Sequence, residues 1–94
     1  MILGYADART ERFARDERIK AFESFRKRAA MVLDRLDMAA SLADIANFPG
    51  HRLEKLKGDR KGQWSVRIND QWRICFVWER GAAGPSNVEI VDYH

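Results

Sequence analysis

Two spacings of apolar residues divide the chain, and each predicts a different secondary structure. In the first half, apolar residues recur at alternating steps of three and four positions: Phe22, Phe25, Ala29, Val32, Leu36 and Ala39. That spacing is the repeat of one helix face, so it predicts a long helix. In the second half, apolar and polar residues alternate over residues 64–69 and 72–78, which predicts two strands.

Shorter elements are predicted before the long helix. Residues 2–5 are apolar and favour a short first strand. Asp7 is a good N-cap for a helix extending to about Ala14. Asp16 is a second N-cap candidate, placed to begin the long helix.

The remaining elements complete a plausible fold. Ser41 with Asp44 resembles the capping arrangement of a short helix through Ala46, and a Pro-Gly pair then stops it. Residues 88–93 form a last strand. Helices followed by an antiparallel meander predict an α+β domain, with the helices packed on one side of the sheet. We find no linker or repeat, so residues 1–94 are expected to form a single domain.

The register of the hairpin follows from its apolar residues. A three-residue loop at positions 69–71 places Ile68 opposite Trp72 and gathers the apolar residues, tryptophans included, on a core face. The same register makes Arg67 and Arg73 cross-strand neighbours on the other face. Like charges opposite each other destabilise a sheet. Two solvated arginines that bend apart are slightly favoured over the alternative, an anion such as phosphate held between them.

Composition points to a small basic protein. Of 94 residues, 46% are hydrophobic and the net charge is +3. The stretch from residue 52 to residue 73 carries seven Lys or Arg against three acids, which favours an anionic partner. One cysteine excludes an internal disulfide, and we expect a buried apolar role for Cys75. With no long apolar run, the chain is expected to be cytoplasmic and away from membranes. We expect neither a metal nor another cofactor, because the histidines and cysteine lack ligand spacing.

Two segments are candidates for chemistry. The loop at residues 57–62 contains Lys57, Arg60 and Lys61, and a solvated loop and a phosphate-binding loop are equally compatible with it. The sequence ends in an acid, a phenol and an imidazole at positions 92–94, three groups that can transfer protons. A disordered tail is the ordinary interpretation of such an end. Glu54, among cations, is ordinarily a surface ion-pair residue, and His51 a loop residue.

The second half resembles a known toxin family. Its stretch LEKLKGDRKGQWSVRINDQWRICFVW and the closing VEIVDYH are similar, in order and spacing, to the HigB branch of the RelE/ParE toxins. The first half agrees mainly in helix layout and length. The resemblance implies the RelE/ParE-like toxin fold and cleavage of mRNA in the ribosomal A site. It also implies neutralisation by a HigA-type helix-turn-helix antitoxin, whose complex with the toxin represses its own operon through operator DNA.

The resemblance also implies a set of site residues. The catalytic positions of the family carry over onto Lys57, Arg73, Asp92, Tyr93 and His94. HigB members often have a histidine where this chain has Glu54, so the identity of the base is open. RNA supplies its own nucleophile, the 2′-hydroxyl, which allows a reaction without metal.

Each residue type then fits one task. We expect Arg73 and Lys57 to stabilise the phosphate, and Arg60, Lys61 and Arg67 to be further substrate contacts. Proton transfer is expected from Glu54, Asp92 and His94, with His94 as the acid, while Tyr93 orients the substrate or stacks on a base.

Other functions are compatible with the same fold. A ParE-like inhibitor of DNA gyrase would not need the acid, phenol and imidazole at the end of the chain. A nucleic-acid-binding module would use the basic stretch without cleaving RNA. An inactivated toxin would keep antitoxin binding and operon control, and Glu54 leaves that alternative open.

Overall fold

A four-stranded antiparallel sheet carries the second half of the protein. The computed structural model describes residues 1–93, in which the strands lie in chain order: β1 (Glu54–Lys55), β2 (Trp64–Arg67), β3 (Trp72–Val77) and β4 (Ser86–Asp92). The helices come first: α1 (Ala8–Ala14), a 3-10 helix (Lys20–Phe25), α2 (Arg26–Met38) and α3 (Leu42–Ala46). A 3-10 turn (Gly58–Arg60) follows β1. The predicted α+β fold is confirmed.

The apolar stripe of the first half is buried as predicted, but one continuous helix was wrong. Phe22 and Phe25 lie in the 3-10 helix, the next three stripe residues belong to α2, and Ala39 directly follows it. A 3-10 helix places residues i and i+3 directly above each other. The two rings therefore both reach Trp72, with centroids at 5.7 and 5.0 Å. The tighter helix brings three aromatic rings together in the core.

Two of the three predicted caps are confirmed. Asp7 accepts a hydrogen bond from the Thr10 amide, and Ser41 accepts one from the Asp44 amide. The prediction for Asp16 was wrong. Its φ of +70° puts it in the left-handed region just after α1, and the next helix begins only at Lys20. Aspartate tolerates this backbone conformation better than most residues, so Asp16 follows the end of α1 and does not begin the next helix.

The predicted strand at residues 2–5 was also wrong. This segment makes only one parallel bridge, Tyr5 to Val88, before the chain turns into α1. The amide of Val88 donates to the Gly4 carbonyl, and two residues further along β4 the amide of Ile90 donates to the buried Thr10 hydroxyl. A helix side chain thus continues the pairing along β4.

The register of the hairpin is confirmed residue by residue. Val66 lies opposite Ile74, Arg67 opposite Arg73, and the Ile68 amide donates to the Trp72 carbonyl. The apolar side chains of this hairpin face the helices and join the main core, the tryptophans being partly buried against it. None of the helices within residues 1–93 is long and apolar enough to span a membrane.

Candidate active site

The sheet face turned away from the main core carries the candidate site. Pairing places Ser65 opposite Cys75, and Arg73 opposite Val91, all on this face. Cys75 and Val91 pack with Leu56 in a second, smaller apolar cluster. Burial raises the pKa of the Cys75 thiol, so it stays protonated and unreactive. This apolar cluster gives Arg73 a low-dielectric surrounding.

Arg73 is buried, and its guanidinium is fixed on two sides. Its Nε donates to Ser65 Oγ at 2.8 Å, and its Nη2 donates to the Arg52 carbonyl at 2.6 Å. The Cζ atom lies 5.8 Å from the Tyr93 ring centroid. A planar guanidinium held through two of its nitrogens has a fixed orientation. The third nitrogen, Nη1, is therefore aimed in one direction.

Nη1 is the open side of this cation. Among residues 1–93, Nη1 donates to no protein group, while every fully buried side-chain nitrogen or oxygen has a partner. Nη1 must therefore reach solvent. No carboxylate of those residues lies within ion-pair distance of Arg73. A buried cation without a nearby counter-charge is unfavourable, and an incoming anion would relieve that cost.

The interpretation of Arg67 and Arg73 as two solvated arginines was wrong. Arg73 is only 8% exposed and is held by backbone and hydroxyl oxygens. Arg67 instead pairs with Asp70 in the hairpin loop. The like charges coexist because Asp70 neutralises one of them while the other is fixed by neutral acceptors. An anion held between the two remains a prediction.

The end of β4 brings two more predicted residues to this region. Tyr93 lies beside Arg73, and its amide donates to the Gln71 carbonyl at 2.8 Å. Asp92 lies opposite Trp72, and its Oδ2 accepts from Gln71 Nε2 at 2.9 Å. Tyr93 is thus placed with Arg73, whereas the register puts Asp92 on the opposite face of the sheet, the one that packs against the helices. His94 lies outside the described residues.

β1 and the loop after it supply the other candidates. Glu54 is exposed and lies opposite Ser65, whose hydroxyl accepts from Arg73. Lys57 and Lys61 line one shallow depression of about 230 Å³, together with Lys55. Lys55 lies opposite Trp64, so it is on the other face of the sheet from Glu54 and Arg73.

Arg60 stands apart from those lysines because it is already paired. Its Nη1 donates to Glu89 Oε1 at 3.2 Å and to Gln63 Oε1 at 3.1 Å. Glu89 belongs to β4, so this pair ties the 3-10 turn after β1 to the far side of the sheet. Arg60 as a substrate contact remains a prediction, and its visible contacts serve to hold the loop.

Sequence reasoning missed the two residues that bind Arg73, which are Ser65 and Arg52, and also the burial of His51. Ser65 could have been found, since the predicted register puts it diagonal to Arg73 on the same face. The Arg52 carbonyl gave no signal, because it depends on a left-handed residue with φ +48°. His51 lies in a loop as predicted, but its ring is fully buried. Within residues 1–93 no group of three His, Cys, Asp or Glu side chains is arranged to hold a metal ion.

Comparison with known proteins identifies the family of this chain. The family model described as the RelE-like toxin of the type II toxin–antitoxin system HigB matches residues 3–94. Toxin HigB-1 of Vibrio cholerae is 34% identical over 85 residues, covering 88% of this chain and 90% of that protein. Endoribonuclease HigB of Proteus vulgaris is 39% identical over 62 residues, covering 66% of this chain and 64% of the relative.

A solved structure shares the fold. The YoeB-YefM complex from Staphylococcus aureus contains a chain that superposes with a TM-score of 0.58, covering all of this chain and 95% of the other. The two are 20% identical, so this likeness concerns the arrangement of helices and strands alone.

Proposed function

The chain belongs to the HigB-like family of RelE-like type II toxins, and from that premise we propose that it cleaves mRNA in the ribosomal A site without a metal ion. The name of the Proteus vulgaris relative, an endoribonuclease, supports the reaction class. Single-domain size and the few groups available for chemistry favour help from the ribosome, which would position the RNA strand.

The buried guanidinium of Arg73 is the observation that carries this proposal. Its Nε and Nη2 are occupied by Ser65 and Arg52, so Nη1 is the edge left to meet a phosphate. Fixed donors aimed at developing negative charge stabilise a transition state without reorganising during the reaction. Removing one such donor typically slows a reaction by about a hundredfold to a thousandfold.

The proposed reaction uses RNA as its own nucleophile. The 2′-oxygen attacks the adjacent phosphorus, and the bond to the 5′-oxygen of the next nucleotide breaks. The products are a 2′,3′-cyclic phosphate and a 5′-hydroxyl end. One proton leaves the 2′-hydroxyl for a base, and one proton reaches the departing 5′-oxygen from an acid, so the step balances.

The remaining roles come from the resemblance to the family and from the chemistry of each residue type. Glu54 is the proposed base. It is an exposed carboxylate and lies opposite Ser65, the residue whose hydroxyl binds Arg73. Asp92 and His94 handle the second proton, with His94 as the acid. Tyr93, 37% exposed beside Arg73, orients the substrate or stacks on a base.

Cationic residues outside the centre bind the RNA backbone in this proposal. Lys57 and Lys61 share one depression, where they attract the phosphates on either side of the cleaved bond. Arg67 is a weaker contact because Asp70 already neutralises it. Arg60 contributes mainly by holding this loop through Glu89.

The proposed partners follow from the family. A type II toxin is inhibited by a protein antitoxin, and we propose a HigA-type helix-turn-helix protein that also links the complex to operator DNA. Translating ribosomes would be the other partner, which places the activity in the cytoplasm.

Mapping the 5′ ends of cellular mRNA after brief induction tests the proposal. The wild-type chain should create new ends inside reading frames, in phase with codons. Arg73→Ala and a deletion of His94 should both abolish them. Arg80→Ala is the matched control, because Arg80 is an exposed arginine in the loop beyond the other end of β3.

Each outcome has a distinct meaning. New ends that persist in a folded Arg73→Ala protein would overturn the assignment of the site. Growth arrest without new ends, together with blocked DNA replication, would replace the nuclease by gyrase inhibition. Neither arrest nor cleavage would indicate an inactivated relative that retains only antitoxin binding.

A further inference from the structure

The ring of His51 is buried against the ends of α2 and α3. His51 Nδ1 is 3.2 Å from the Ile45 carbonyl at the end of α3, and Nε2 is 3.1 Å from Arg35 Nη1 of α2. The Phe48 ring covers it at a centroid distance of 5.2 Å, and Arg35 in turn lies over Phe48. The ring therefore joins α2, α3 and the loop that follows them.

These partners determine the protonation of the ring. A guanidinium only donates hydrogen bonds, so Nε2 must accept from Arg35. Nδ1 then carries the proton and donates it to the Ile45 carbonyl, which leaves the imidazole neutral. Burial, and then the nearby positive charges of Arg35 and Arg28, lower the pKa of His51. Both ring nitrogens are thus satisfied by groups of the helical layer.

The backbone around the same residue is fastened to the sheet. The His51 carbonyl accepts from the Arg67 amide of β2 at 2.6 Å. The next carbonyl, that of Arg52, accepts from Arg73 Nη2 at 2.6 Å. The ring and backbone of His51 therefore connect the helices to β2, next to the Arg52 carbonyl that orients Arg73.

Arg52 needs this support. Its φ of +48° is in the left-handed region, which is unfavourable for a non-glycine residue. Such a conformation persists where its surroundings over-determine it. The Arg52 side chain is exposed, so the conformation is held through its neighbours, and His51 is the neighbour whose ring and carbonyl are both fixed.

We propose that His51 is a positioning residue for the phosphate-binding arginine. By fastening the segment at residues 48–52 to α2 and α3, it holds the Arg52 carbonyl in place. That carbonyl fixes Nη2 of Arg73 and leaves Nη1 aimed at the RNA phosphate. The proposal rests on the proposed function for the role of Arg73, but the orientation of the side chain is measurable without activity.

The test compares His51→Leu with His51→Gln. Leucine fills the space and makes neither hydrogen bond, whereas glutamine can supply a donor and an acceptor. Val32→Ala is the control for plain destabilisation, since it opens a space in the buried face of α2 and removes no hydrogen-bonding group. Two quantities are measured below the melting temperature of every variant: the NMR signal of the Arg73 Nε–H group, and the single-turnover rate of mRNA cleavage on ribosomes.

His51→Leu should shift or broaden the Arg73 Nε–H signal and slow cleavage by about a hundredfold, as a misplaced group does. His51→Gln should recover most of both, and Val32→Ala should change neither. If His51→Leu does not fold, Arg35→Met removes the partner of Nε2 with the ring intact, and should produce the same two effects.

An unchanged Arg73 signal and rate in His51→Leu, or in Arg35→Met where His51→Leu does not fold, would overturn the proposal. Equal losses in Val32→Ala would also overturn it, by showing a role in general stability only. Failure of the proposed function would give a different result: the wild-type chain would not cleave mRNA, or Arg73→Ala would still cleave it, while the NMR signal of Arg73 would still respond to His51→Leu.

Discussion

At the scale of single residues, Arg73 is a side chain that is always charged and is nevertheless almost completely buried. Burial removes water from the guanidinium, and three neutral oxygens replace only part of that solvation. A bound oxyanion would supply the missing counter-charge. The free protein is therefore expected to respond to simple anions even without RNA.

Phosphate or sulfate should raise the melting temperature of the wild-type protein, and Arg73→Ala should remove that increase. At about ten times its dissociation constant, an anion adds about 1.4 kcal/mol of stability, which is roughly 6–11 °C for a domain of this size. Thermal melts in sulfate, against chloride at equal ionic strength, measure it. Arg80→Ala should behave as wild type. Equal stabilisation of Arg73→Ala would show general salting-out instead of a site.

The sequence could place Arg73 but could not show its burial. Alternation fixed its face, and the loop length fixed its partner Arg67. The covering of that face depends on the loop before β1. The path of this loop depends in turn on the left-handed conformation of Arg52 and on the buried ring of His51. Neither leaves a periodic signal, so the solvated interpretation was the reasonable but wrong one.

At the scale of elements, apolar spacing predicted faces better than helix type. Steps of three and four residues fit both α and 3-10 geometry near Phe22, because i and i+3 share a face in both. At the break, the Phe25 ring lies 5.0 Å from the ring of Trp72 in β3. The helix starts at Asp7 and Ser41 were easier to predict, since each of these caps accepts a hydrogen bond from an amide only three positions further along the chain.

The 3-10 turn after β1 provides a test of local conformation alone. Gly58 has a φ of +65° and open space where a Cβ would lie, while Gly4 has open space without a positive φ. Gly58→Ala should therefore lower the free energy of unfolding by about 1 kcal/mol, and Gly4→Ala should leave it nearly unchanged. Urea denaturation measures both. Equal effects would mean that the turn relaxes without strain.

At the scale of the whole molecule, the order of elements was sufficient for the fold class. Helices followed by a meander can bury their apolar faces only by packing helix layer on sheet, and the core confirms that arrangement. No pattern in the sequence indicates how the outer edge of β4 is closed. There the segment before α1 and the side chain of Thr10 take the places of a neighbouring strand.

Thr10 therefore joins the first helix to the last strand, 80 positions apart in the chain. Its hydroxyl is buried and accepts from the Ile90 amide at 3.0 Å. Thr10→Val keeps the shape but leaves that amide unpaired, which should lower the free energy of unfolding by about 1–3 kcal/mol. Thr10→Ser keeps the acceptor and loses a methyl group, so it should cost about 1 kcal/mol. Denaturation curves with equal slopes would measure both changes. If valine is tolerated better than serine, packing of the methyl group, not the hydrogen bond, holds α1 against the edge of the sheet.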